Sequence, residues 1–176
     1  FEKKFGEDCG IVGVYDPNGD VSRLAFYGIY ALQHRGQESA GIASADGYKI
    51  KLRTGMGLVT HVFKDEDLDY LTGDTAIGHT RYSTTGTSNI KNAQPMIVEG
   101  ENFKLAIAHN GNVVNSLELK RELEELGQEF NTSSDSEVIA KIVASAPANT
   151  WEGRIAYLMR KVQGAYSLPL MTEKEL

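Results

Sequence analysis

Three capped helices in succession constrain this fold more than any other feature of the sequence. Asn115 and Glu118 form a capping-box pattern ahead of Leu119, Leu123 and Leu126, and Gly127 is a stop signal. Ser134 and Glu137 repeat the pattern ahead of Val138, Ile139, Ile142 and Val143. Asn149 and Glu152 do so again for Trp151, Ile155, Leu158, Met159 and Val162, with Gly164 as the end. Everything before Asn115 is mostly short apolar runs broken by glycine and asparagine. Strands first, then helices, then a last strand predict an α+β fold and exclude a regular parallel alternation.

The strands are predicted at Cys9 to Tyr15, at Ile42 to Ser44 and Tyr48 to Arg53 around the Asp46-Gly47 turn, and at Thr75 to Thr80. A second hairpin spans Met96 to Glu99 and Phe103 to Ala108 over Gly100-Glu101. Ala165 to Met171 reads as a strand that Pro169 must push to an edge or break, because proline donates no ladder hydrogen bond. Ser22 to Gln33 is apolar nearly all round and predicts a buried helix. Gln33 to Gly41 is a polar loop, Asp65 to Leu71 a short helix, and Gly55 to Phe63 ambiguous. Tyr82 to Asn92, rich in Ser, Thr, Gly and Asn, predicts a mobile loop.

Length and charge narrow the class. A chain of 176 residues is one domain, two at most, and buries roughly 70% of its unfolded surface without staples. A net charge of −6, with no basic stripe, argues against a nucleic-acid surface. The longest apolar run, Ala25 to Leu32, is too short for a membrane span, and the first eight residues lack the apolar core of a signal peptide. A single cysteine makes no internal disulfide, which points to a reducing, cytoplasmic compartment.

That cysteine, Cys9, opens the first strand. A thiol nucleophile needs a base, an oxyanion hole and groups that hold a substrate. None of His34, His61, His79 and His109 has a flank that marks it as the base. The α-amine of Cys9 itself, if freed, titrates at about 7.7–8.0 and suits proton transfer near neutrality. Asn110 and Gly111 supply an amide and a backbone N–H suited to an oxyanion, or else only a tight turn. Arg81 can grip a carboxylate bidentately, or make an ordinary surface pair. Asp135 can meet an ammonium, or cap a helix. Two other motifs fail. Asp65, Asp67 and Asp69 lack the glycine and glutamate of a calcium loop, having Tyr70 and Ala76 there. Gly55-Met56-Gly57 lacks the third glycine of a dinucleotide fingerprint, having Thr60. The histidines are scattered singly, so no zinc site is expected.

Five blocks in order carry a resemblance: Cys9-Gly10-Ile11-Val12-Gly13, the run from Leu32 to Gly41, the run from Gly78 to Gly86, His109-Asn110-Gly111-Asn112, and Ser134-Asp135-Ser136-Glu137. Together they resemble the amino-terminal glutaminase domain of the amidophosphoribosyltransferase family. The resemblance implies the four-layer αββα sandwich of the N-terminal-nucleophile hydrolases. It implies that Cys9 attacks the side-chain amide of glutamine, with Asn110 and Gly111 as the oxyanion hole. Arg81 would bind the substrate carboxylate and Asp135 its α-amino group. Tyr82, Thr84 and Arg35 are further substrate-binding candidates, Arg35 and His79 having framework hydrogen bonding as the plainer role. The loop from Arg81 to Asn92 would close over glutamine.

In the whole enzyme the ammonia would pass to a phosphoribosyltransferase domain and aminate phosphoribosyl pyrophosphate to 5-phosphoribosylamine, the first step of purine synthesis. No cofactor is expected in this chain; magnesium, and an iron–sulfur cluster where there is one, would belong to the full-length enzyme, a homo-oligomer. Residues 1–8, ending in Glu7-Asp8, resemble a propeptide, and residues 9–176 a glutaminase domain incomplete at its carboxyl end, with Pro169 where relatives carry an aliphatic. While the leader remains, the Cys9 nitrogen is an amide and no base. Two alternatives compete: hydrolysis of a different amide, against which the Arg81 and Asp135 pair argues, and a non-catalytic, unprocessed or trimmed fragment.

Overall fold

Alternation along the strands decides the layers. The structure is a computed structural model that describes residues 9–82 and 89–174. β1 (Gly10–Tyr15), β2 (Ser39–Ala45), β3 (Ile50–Met56) and β4 (Thr75–Arg81) form an antiparallel sheet in the order β1-β4-β2-β3. On β2, Ala40 and Ile42 face one side while Ala43 and Ala45 face the other, as a two-residue period requires. The first side packs on α1 (Val21–Ala31), α2 (Val59–Val62) and α3 (Asp65–Tyr70) through Val21, Ala25, Ile29, Val62 and Leu68. The second side meets a second sheet, β5 (Met96–Glu99), β6 (Lys104–Ile107) and β9 (Leu170–Met171), in the order β5-β6-β9.

Between the sheets lie Ala43, Ala45, Ile77, Ala106, Ala108 and Met171, all buried. Leu105 and Ile107 turn the other way, onto α4 (Ser116–Glu125), α5 (Asp135–Ala144) and α6 (Trp151–Lys161). The layers therefore run helix, sheet, sheet, helix. The α+β reading and the four-layer sandwich both hold.

Several elements differ from expectation. α1 is a surface helix: Val21, Ala25 and Ile29 are buried, but Tyr27 is 64% exposed, and Leu24 and Tyr30 are exposed too. Its outward Tyr27 and Tyr30 pack on the partly buried Phe26, Tyr27 edge-on and Tyr30 stacked, so all-round apolarity does not mean all-round burial. Ser39, Ala40 and Gly41, read as loop, begin β2 and are buried, because small residues fit where two sheets and a loop converge. Gly55 to Phe63 is the end of β3 followed by α2. The expected mobile loop lies partly outside the described residues, and its last part is a 3₁₀ turn, Ile90–Asn92, capped by the Asn89 side chain on the Lys91 N–H.

The helix caps also differ. Thr150, not Asn149, caps α6 by accepting the Gly153 N–H. Asn115 makes no capping box. Its side chain instead donates to the Lys161 carbonyl and accepts the Gln163 N–H, each at 2.9 Å, tying the start of α4 to the end of α6. Leu126 and Met159, expected inward, are 79% and 67% exposed. The exposed Met159 borders a cleft of about 1350 Å³ between α6 and the last two strands. Asn115→Ala should lower the unfolding free energy by about 1–3 kcal/mol, the net value of two hydrogen bonds. A denaturant midpoint unchanged from wild type would show that the tie carries no stability.

The last strand breaks where proline predicts. β8 (Gly164–Ser167) and β9 are separated by Leu168 and Pro169, and the Pro169 carbonyl still accepts the Ala108 N–H at 3.1 Å. β8 pairs with β7 (Asn110–Val113), a strand that the sequence reading ended before. Gly111 sits at φ +150°, and a Cβ there would lie 2.2 Å from the Ala165 carbonyl oxygen. Only glycine fits that approach.

Candidate active site

Register places the thiol. β1 pairs with β4 so that Gly10 faces Thr80; Cys9 immediately precedes Gly10, and Arg81 immediately follows Thr80. β2 brings Ser39 against Arg81 from the other side. By the same alternation, Cys9, Ile11, His79 and Arg81 lie on the face that looks toward the second sheet. The Cys9 thiol lies 3.9 Å from the Tyr82 carbonyl, and the Arg35 Nε–H donates to the Cys9 carbonyl at 3.3 Å. Arg35 thus holds the backbone of Cys9. Thr84 lies outside the described residues.

Arg81 is paired within the protein: its guanidinium donates to Glu38 Oε1 at 3.0 Å, and both side chains are mostly buried. A guanidinium has five N–H donors in a planar fork, so one ion pair leaves donors for a second carboxylate. Glu38 was not singled out from the sequence, although it lies within the Gln33 to Gly41 block. Its other oxygen is buried and unpartnered, as are the hydroxyls of Ser39 and Thr80.

A second group forms on the separate two-stranded sheet of β7 and β8 and at the start of α5. Asn110 and Gly111 open β7, and Asp135 opens α5 with Oδ2 accepting the Val113 N–H at 3.2 Å. Oδ1 of Asp135 lies 3.6 Å from Nδ1 of His109. Burial alone would raise the Asp135 carboxyl, but the His109 hydrogen bond and charge, with the Val113 and Ser136 N–H groups, outweigh it and hold it below its ordinary value. Asp135 is therefore an anion near neutral pH, and its side chain is part-exposed, as an ammonium partner requires. Ser134, not Asp135, caps the helix, by accepting the Ser136 N–H. The plainer capping role thus falls to its neighbour.

Two buried histidines bridge the groups. His79, read as a framework residue, is fully buried, and burial drives its pKa down to about 3 despite its bond to His109. The imidazole is therefore neutral, and Nε2 carries the proton that reaches the His109 carbonyl at 3.1 Å. That peptide unit is the one that leads into Asn110. His34 is on the surface and reaches only the Ala31 carbonyl, and His61 lies in α2. Cys9, Arg35, Arg81 and Tyr82 thus cluster on the first sheet. Asn110, Gly111 and Asp135 cluster on the opposite side, joined to the first through His79 and His109.

Two facing antiparallel sheets between helical layers, with a thiol at the head of the first strand, define the N-terminal-nucleophile class of fold. A family model for the glutamine amidotransferase domain matches residues 50–174, and the chain belongs to that family. The match includes Arg81, Asn110, Gly111 and Asp135. Similarity to relatives extends over Cys9 as well: amidophosphoribosyltransferase of Synechococcus elongatus is 49% identical over 97% of this chain. Two solved structures match at 40% identity over 94% of the chain. One is the allosteric regulatory enzyme of purine biosynthesis (TM-score 0.84). The other is glutamine phosphoribosylpyrophosphate amidotransferase from B. subtilis, complexed with ADP and GMP (TM-score 0.81). The chain spans 35% of the length of each of these three proteins.

Proposed function

We propose that this chain is the glutamine-hydrolysing part of an amidophosphoribosyltransferase. The observation that carries the reading is the Cys9 thiol 3.9 Å from the carbonyl of Tyr82, the residue next to Arg81, a cation already poised in a buried ion pair. Arg81 binds the α-carboxylate of glutamine and Asp135 its α-ammonium, which leaves the side-chain amide to reach the thiol. The Cys9 sulfur attacks the amide carbon, and Asn110 and Gly111 donate to the oxygen that becomes negative. The thiol proton passes through the α-amine of Cys9 to the departing nitrogen, the C–N bond breaks, and ammonia leaves a thioester. Water then hydrolyses the thioester to glutamate and restores the thiol.

Residues 1–8 act in this scheme as a propeptide whose removal frees the amine. Residues 9–176 are then the glutaminase portion. In the whole protein, the ammonia aminates phosphoribosyl pyrophosphate to 5-phosphoribosylamine in a second domain, in a cytoplasmic homo-oligomer. Magnesium, and an iron–sulfur cluster where there is one, would belong to that larger protein. Among the described residues no three His, Cys, Asp or Glu side chains are grouped to hold a metal, and no step here passes through one. No helix among the described residues is long and apolar enough to cross a membrane.

Intact mass and labelling test the proposal together. Loss of residues 1–8, followed by uptake of one equivalent of a glutamine-like electrophile at Cys9, is the expected result. A retained leader with no labelling would instead make the chain a non-catalytic fragment. Asn110→Ala should lower kcat for glutamine by about 10²–10³-fold, the scale for one oxyanion donor. A kcat within twofold of wild type would remove Asn110 from the oxyanion hole.

A further inference from the structure

Gln94 was not singled out from the sequence, yet it joins more of the site than any side chain assigned above. Its residue is only 4% exposed. Its side-chain oxygen accepts the His109 N–H at 2.7 Å, and its side-chain nitrogen donates to the Ser136 hydroxyl at 3.0 Å. The orientation of the amide is settled by chemistry, since a backbone N–H can only donate and must face the oxygen end. Its backbone is seated as firmly. The Gln94 carbonyl oxygen lies 2.1 Å from where a Cβ on Gly41 would be, so any other residue at Gly41 would displace it from β2.

The two partners of this amide stand next to the two halves of the substrate site. His109 immediately precedes Asn110, and Ser136 immediately follows Asp135. The Ser136 hydroxyl also lies 3.0 Å from His109 Nδ1, which closes a ring of contacts from Gln94 through both segments. The His109 main chain is held on both sides, its N–H by Gln94 and its carbonyl by His79.

We propose that Gln94 is a positioning residue that fixes the Asn110 and Gly111 oxyanion donors at a set spacing from the Asp135 carboxylate. This rests on the glutaminase reading above. Glutamine has a fixed length between its α-ammonium and its side-chain amide carbon. A site that holds the first on Asp135 must present its oxyanion donors at a matching distance, and a rigid amide between the two segments sets that distance. The competing role is purely structural: a buried glutamine that satisfies one N–H and one hydroxyl.

The two ends of the amide separate these roles. The test uses the full-length protein with Cys9 at its amino terminus, and active enzyme is counted by glutamine-analogue labelling. Gln94→Met keeps the volume and removes both hydrogen bonds. It should lower kcat/KM for glutamine at least tenfold, while iodoacetamide, which has no amino-acid head, alkylates Cys9 at the wild-type rate. Gln94→Glu keeps the acceptor for the His109 N–H and loses the donor to Ser136. It should return kcat to within about threefold of wild type while KM for glutamine stays raised at least fivefold. Where Gln94→Met fails to fold, the split in Gln94→Glu decides alone.

Either folded variant with kcat and KM both within twofold of wild type per labelled site overturns the proposal. So does a Gln94→Glu variant that lowers kcat with KM unchanged. A wild-type protein that does not hydrolyse glutamine refutes the glutaminase reading itself, and that outcome is distinct from both of these.

Discussion

Cys9→Ala in the full-length protein should abolish glutamine hydrolysis, a fall of about 10⁶-fold in kcat, the scale seen when a covalent nucleophile is deleted. Within residues 1–176 Cys9 is the one cysteine, so no other thiol of this portion can substitute. Two of the histidines are otherwise engaged: His79 Nε2 donates to the His109 carbonyl, and His34 lies on the surface against the Ala31 carbonyl. Cys9→Ser should also fail, because a hydroxyl keeps its proton at neutral pH where a thiol partly loses it. The fold should survive both changes, since Cys9 precedes β1 and lies outside its ladder. A matched variant in which residue 8 stays joined to Cys9 sharpens the test. It should be as inactive as Cys9→Ala yet still be alkylated by iodoacetamide, because its thiol is intact and only the free amine is lost. Turnover by that variant at the wild-type rate would remove the α-amine from the mechanism.

The parts of this site that could be read from the sequence are those carried by short contiguous blocks. Cys9 at a strand start, Asp135 at a helix start and the hairpin over Asp46-Gly47 are local patterns, set by alternation and turn chemistry. The α+β class followed from the succession of strands and helices, whereas the four-layer order came from the family resemblance. What stayed hidden depends on partners distant in sequence. The Glu38–Arg81 pair joins residues 43 apart, and nothing in either neighbourhood announces it. β7 has the composition of a turn, Asn-Gly-Asn-Val, and is a strand only because Gly164–Ser167 lies beside it. Asn115 carries a capping signal and spends its side chain on α6 instead, since two orphan backbone groups there have no other partner. Gln94 looks like a loop residue before a proline, and only the approach of His109 and Ser136 gives it a role. Tertiary contact overrides local propensity at each of these positions.

Acid should unfold this protein well before its surface carboxylates would, through His79. An ordinary histidine takes up a proton near pH 6.5, whereas burial holds folded His79 neutral down to about 3. Between those values the unfolded chain binds a proton that the folded chain refuses. The folded-state pKa is depressed, so the stability this group contributes is full above about pH 6.5 and falls as pH drops. The loss approaches about 1.4 kcal/mol for each pH unit within that window, about 2 kcal/mol by pH 5 and about 4 kcal/mol by pH 3. Asp135 acts in the same direction lower down. Its pKa is held below 3.8, so its contribution is present above that value and is lost as pH falls through its folded pKa. The stability curve should therefore begin to decline near pH 6, with most of the early slope due to one residue. Denaturant midpoints of the chain measured from pH 7.5 to 4.5 would trace it. His79→Gln isolates the cause, because the glutamine amide can still donate to the His109 carbonyl but binds no proton. That variant should be nearly flat from pH 7 to pH 5, and the wild type should converge on it as pH falls. Parallel slopes in the two proteins would show that His79 does not control acid stability. The same imidazole holds the peptide that leads into Asn110, so acid should weaken the oxyanion donors before the whole fold gives way.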